Sequence, residues 1–99
     1  MKSPFEFVVF DLETTGLGDS TEICEFAFVL FRDGKVESTL ASRVKPSHNA
    51  QWQSSAVKLH GITKTHLKHS PAIGRFKEEI ISFVGNRPVF EHNASFDIN

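Results

Sequence analysis

The chain has 99 residues, 39% of them apolar and 11% aromatic, which fits one small globular domain near the lower end of what buries a sizeable core. A formal charge of −1 supplies no overall basic field, so any hold on a polyanion has to be local. The single cysteine, Cys24, excludes an internal disulfide and reads as a small buried hydrophobe in a reducing compartment. The N-terminal MKSPFEF lacks the apolar run of a signal peptide or membrane span, so a cytoplasmic protein with no membrane partner is expected.

Residues 5–11 form a near-continuous apolar run, which predicts a central strand covered on both faces, with Asp11 and Glu13 at its exit. Residues 21–31, TEICEFAFVLF, are apolar on both alternating faces apart from Glu25, and Arg32-Asp33-Gly34-Lys35 supplies a hairpin turn. Residues 36–44 alternate with one wetter side, as on a strand nearer an edge, completing an antiparallel meander. Residues 46–70 are polar and histidine-rich, a surface excursion with short helices near 54–59 and 64–67. Ser70 as N-cap and Pro71 as first helical residue then predict a helix that places Ile73, Phe76, Ile80, Phe83 and Val84 on one face and ends at Gly85. Residues 88–90 read as a fourth strand, followed by a turn at His92-Asn93, with Asn93 capping a helix from Ala94.

Asp11 and Glu13 stand at i and i+2, so if the strand persists both carboxylates leave one face, close enough to share a cation. Hard oxygen ligands select Mg²⁺ or Mn²⁺ over Zn²⁺. Gly16, after Thr14 and Thr15, permits a tight turn whose backbone N–H groups approach a ligand. Taken alone, the Asp-x-Glu pair reads equally well as solvated or lysine-paired acids. Asp97, in HNASFD, adds a third carboxylate at the same sheet end if the first and fourth strands are neighbours.

FDLETTGL at 10–17, ICEFAFV at 23–29, HGIT at 60–63 and HNASFD at 92–97, in that order and spacing, resemble the DnaQ-like (DEDD) 3′–5′ exonucleases. That family includes the proofreading subunits and domains of bacterial DNA polymerase III. The resemblance covers nearly the whole chain. It implies an α/β, ribonuclease-H-like fold with a mixed five-stranded sheet and flanking helices, and cleavage of the terminal phosphodiester with two Mg²⁺ or Mn²⁺ ions per complete site. It implies catalytic and metal-binding roles for Asp11, Glu13 and Asp97: Asp11 bridging both ions, Glu13 helping to hold the one that activates water, and Asp97 serving the other. It further implies that Thr14, Thr15, Gly16, Leu17, His92, Asn93 and Phe96 bind substrate, with backbone groups at Thr14 and Thr15 receiving the 3′ end and Leu17 wedging against the terminal bases. The implied partners are the 3′ end of single-stranded nucleic acid, DNA first, and a DNA polymerase subunit.

The family's third motif, with its general base and fourth acid, would follow Asn99, so residues 1–99 are expected to be the N-terminal portion of a single exonuclease domain, incomplete at its C-terminus. Such a piece would leave one sheet face bare and be inactive alone. A non-catalytic nucleic-acid- or polymerase-binding module with a degenerate exonuclease fold, and an RNA-trimming exonuclease of the same fold, are the alternatives. Among the remaining residues, His60 is expected to bond its own turn and His66 and His69 to be solvated. Glu25 reads equally as support for the metal site or as an ion-pair partner. Glu91 stands where the family has a small or apolar residue. Trp52 is expected to pin its loop rather than stack a base. Lys58, Lys64, Lys68, Arg75 and Lys77 read as ordinary surface cations, with a strand-binding side as the alternative.

Overall fold

A computed structural model describes residues 5–92. Strands β1 (Glu6–Thr14), β2 (Ile23–Arg32) and β3 (Lys35–Arg43) form the antiparallel meander, and β4 (Val89–Glu91) lies parallel to β1. The sheet order is β3-β2-β1-β4, which puts β1 in the interior of a mixed sheet. Helices α1 (Ser54–His60) and α2 (Lys77–Val84) flank it, with 3-10 turns at Thr65–Leu67 and Ile73–Phe76. The mixed α/β sheet with flanking helices is the class the sequence implies.

Cross-strand register sorts the side chains. Val8, Phe10 and Leu12 share one face with Leu30, Phe28 and Phe26, while Phe7, Val9, Asp11 and Glu13 share the other with Phe31, Val29, Ala27 and Glu25. The first face is the main core: Val8, Phe26 and Leu30 are buried, and Phe26 and Phe28 meet Phe76 and Phe83 edge-on at 5.2 and 6.4 Å. A second cluster of Cys24, Ile62 and Leu67 packs against half-buried Trp52 and so pins the excursion between β3 and α2, the role expected of Trp52. Burial pushes the Cys24 thiol up to about 11, so it stays protonated and unreactive near neutral pH. The second face is barer. Phe7 stacks on Phe31 at 5.1 Å and meets Phe90 edge-on at 5.9 Å, yet Phe5 and Phe90 are exposed. Among the described residues, β1 is therefore covered on one face and half-open on the other.

Asp33 and Gly34 both adopt positive φ, as the tight β2–β3 hairpin requires. Glu6 joins Arg32 at 2.5 Å and Arg87 at 3.0 Å, tying the start of β1 to the end of β2 and the approach to β4. These guanidinium groups, Arg87 foremost, hold the Glu6 carboxyl below its usual range.

The half-open second face corrects the expectation that the first strand is covered on both faces, and two further expectations need correction. The acids are not at the exit of the first strand, because β1 continues to Thr14 and keeps both within the ladder. The long helix does not start at Ser70 either: the Pro71 carbonyl accepts the Lys45 N–H at 2.8 Å, and Ala72 is extended. That backbone tie prolongs the line of β3 past Arg43, and the chain then needs the 3-10 turn at Ile73–Phe76, around Gly74, before α2 begins. The expected close at Gly85 is met by its N–H bonding to the Ile81 carbonyl at 2.9 Å. The helix expected from Ala94 lies outside the described residues.

Candidate active site

Asp11 and Glu13 leave the same face of β1, opposite Ala27 and Glu25. The Asp11 side chain is 54% exposed and Glu13 is half-buried. Like charges directly across a ladder are unfavourable, and Glu25 answers this by pairing with Arg43, its own cross-strand partner, at 3.3 Å. Glu25 is thus an ion-pair partner that also stands beside Glu13. No lysine or arginine pairs with Glu13 among the described residues. Desolvation raises the Glu13 carboxyl above its ordinary value of 4.5; nearby His60 opposes this, and Asp11 and Glu25 add to it.

That shift makes a stability prediction. A carboxyl whose folded pKa is raised favours folding in its protonated form, a contribution present below about 4.5 and lost as pH rises through the folded value. Glu13→Gln, uncharged at every pH, is therefore expected to raise the melting temperature by a few degrees at pH 7 in metal-free buffer, with the gain vanishing under acid conditions. Thermal melts across pH check this, and a lower melting temperature at pH 7 would contradict it.

The turn after the acids is built from within. Thr15 is fully buried: its N–H donates to the Glu22 carbonyl at 2.8 Å, its carbonyl accepts the Gln53 N–H at 2.8 Å, and its hydroxyl accepts the Glu22 N–H at 3.0 Å. The Thr14 hydroxyl donates to the Gly16 carbonyl at 2.7 Å. His60 closes its own turn, as expected, because Nδ1 accepts the Ile62 N–H at 2.9 Å. With Nδ1 accepting, the neutral ring carries its proton on Nε2, which donates to the Thr14 carbonyl at 2.8 Å. Leu17, 67% exposed, projects at the rim.

Asp11, Glu13, Thr14, Gly16 and Leu17 line a cavity of about 390 Å³, closed by Gln53, Ser55, Ala56, Leu59 and His60 and by Glu91 from β4. His92 sits beside it, its N–H bonded to the Phe10 carbonyl at 2.7 Å and its Nδ1 3.9 Å from Asp11 Oδ2. Of the three expected acids the structure brings Asp11 and Glu13 together; Asp97, Asn93 and Phe96 lie outside the described residues. Lys58, Lys64, Lys68, Arg75 and Lys77 are exposed and do not line the cavity. His66 Nδ1 accepts the Thr63 N–H at 3.2 Å, closing a local turn. Sequence reading missed the part played by Gln53 and Leu59 and the reach of His60 to Thr14. All three come from the irregular excursion and meet the acids only through tertiary contacts, although HGIT had marked His60.

The sequence matches the exonuclease family RNase_T over residues 8–99. Among curated relatives, the PolC-type DNA polymerase III of Clostridium perfringens is 33% identical over 94 residues, covering 94% of this chain and 6% of that protein. The corresponding enzyme of Thermotoga petrophila is 36% identical over 92 residues, covering 92% and 7%. The chain thus spans less than a tenth of the length of these relatives. Of solved structures, exonuclease I in complex with an inhibitor matches with a TM-score of 0.77 and 22% identity, over 93% of this chain and 22% of that one. The nuclease domain of 3′hExo, a DEDDh family member bound to rAMP, matches with a TM-score of 0.66 and 23% identity, over 81% and 44%. The shared fold is ribonuclease-H-like, and by its sequence the chain belongs to the RNase_T exonuclease family.

Proposed function

We propose that this chain carries the front part of a metal-dependent 3′–5′ exonuclease site for single-stranded DNA ends, of the proofreading or repair type. The observation that carries this reading is the pair of carboxylates on one face of β1, opening into a cavity whose far wall sets apolar Ala56 and Leu59 among the polar groups of Gln53, Ser55 and His60. The donor set fits a hard divalent cation: two carboxylates, one of them disfavoured in its ionised form and without a lysine or arginine partner among the described residues. Asp11, Glu13 and, from its place in the family's motif, Asp97 would hold Mg²⁺ or Mn²⁺, two per complete site. When bound, such ions lower the pKa of an attacking water and stabilise the departing oxygen.

The protein's own groups supply position. The turn at Thr14–Leu17, tied to β2 through Thr15 and to α1 through His60 and Gln53, fixes one wall of the cavity beside the acids, and a strand that ends against that wall would fit where a continuous strand would have to pass it. Leu17 and Leu59 offer apolar surface to a terminal base without reading its edges. The PolC-type relatives favour DNA and a polymerase partner, whereas the neighbour bound to rAMP makes RNA trimming the second reading.

Two results test this. With Mn²⁺, the chain is expected to bind an oligo-dT with a free 3′-hydroxyl better than one blocked by a 3′-phosphate; equal affinity would overturn the end-recognition reading. Hydrolysis by the 99 residues alone is expected to be slight, since absence of a general base typically costs about 10²- to 10⁴-fold. A robust ladder shortening from the 3′ end of a 5′-labelled strand would show that a second copy or another residue completes the site.

A further inference from the structure

Gln53 immediately precedes α1 in extended conformation, where a short polar side chain would ordinarily cap the helix, yet its side chain makes no capping bond. The carboxamide turns back to the β1 turn instead. Oε1 accepts the Leu17 N–H at 2.9 Å and Nε2 donates to the Leu17 carbonyl at 2.9 Å. One planar amide thereby holds both backbone groups of one residue, fixing orientation as well as position. The arrangement requires glycine at 16, where a Cβ would lie 2.3 Å from Gln53 Cδ. The Leu17 side chain, 67% exposed on the cavity rim, is too little packed to be oriented by its own contacts.

We infer that Gln53 is a positioning residue that aims Leu17 at the terminal base of the bound strand. The inference rests on the strand-end reading above. Only a primary amide offers an acceptor and a donor at this spacing. Gln53→Glu keeps the acceptor for the Leu17 N–H but sets a carboxylate oxygen against the Leu17 carbonyl. Gln53→Met keeps the length and offers neither bond.

The test combines amide hydrogen exchange at Leu17 in the free 99-residue chain with Mn²⁺-dependent binding of a 5′-labelled oligo-dT, followed by fluorescence anisotropy. The Leu17 amide is expected to be protected in the unaltered chain and in Gln53→Glu, and to exchange about tenfold faster in Gln53→Met. Strand affinity is expected to fall about 3- to 10-fold in Gln53→Met and in Leu17→Ala, the factor expected when one apolar contact with the terminal base is lost. The double variant should bind no more weakly than Leu17→Ala, because Gln53 acts only through that side chain. Additive losses would overturn the aiming role, since a merely structural glutamine would weaken binding whatever stood at 17. An unprotected Leu17 amide in the unaltered chain would overturn the clamp with no nucleic acid present. Protection in a chain that binds no strand would keep the clamp and overturn the aiming role together with the strand-end reading.

Discussion

Asp11→Ala is expected to lower Mn²⁺ affinity by more than about 100-fold while leaving the fold intact. Removing a group that merely orients a ligand typically costs about 10- to 100-fold, so deleting a ligand itself should cost more. The substitution leaves Glu13 as the lone described carboxylate on that face of β1, and one half-buried acid offers too few oxygens to replace a cation's water shell. The fold should survive because Asp11 is half-exposed and its described charged contact is a 3.9 Å approach to His92, also exposed. Loss of a neighbouring negative charge also relieves Glu13, so the melting temperature in metal-free buffer should hold or rise slightly. Calorimetric titration with Mn²⁺ beside a thermal melt separates the two effects. Unchanged manganese affinity would place the metal elsewhere.

Much of this arrangement is written in local pattern. The apolar runs of β1 and β2, the Asp33-Gly34 turn and the wetter alternation of β3 each need only the chain's own neighbours to form, and each stands where its residues suggest. Asp11 and Glu13 were legible for the same reason, since the side-chain period of a strand is local. The errors fall where a distant backbone group decides. Ser70 and Pro71 have the chemistry of a helix start, but the Lys45 N–H takes the Pro71 carbonyl and delays the helix to Lys77. Gln53 carries no helix-capping signal, and its role exists only because the turn at Gly16 comes within reach of its amide. His60 shows both cases at once: its bond to Ile62 spans two residues and was foreseeable, whereas its bond to Thr14 spans 46 and was not.

Phe26→Ala is expected to cost about 3–5 kcal/mol, the range for truncating a buried aromatic side chain. Phe26 is 1% exposed, meets Phe28 at 5.7 Å and Phe76 at 5.2 Å, and lies across the ladder from Leu12. A small domain has little stability to lose, the general range being about 5–15 kcal/mol, and at about 4–8 °C per kcal/mol the melting temperature should fall by roughly 15 °C or more. The change should also reach the metal site while the chain is still folded. Leu12 is the β1 residue between Asp11 and Glu13, on the opposite face, and Phe26 is its cross-strand neighbour on that face; a void beside Leu12 lets β1 shift and alters the splay of the two carboxylates. Circular dichroism melts and Mn²⁺ titration well below the midpoint should therefore both change, with a fall in affinity smaller than that of Asp11→Ala. A melting temperature within a few degrees of the unaltered chain would shift the weight of the fold to the Cys24, Ile62 and Leu67 cluster. A large drop in stability with unaltered manganese affinity would instead show that the ladder to β2 alone fixes the acids, leaving the core beneath them no part in their geometry.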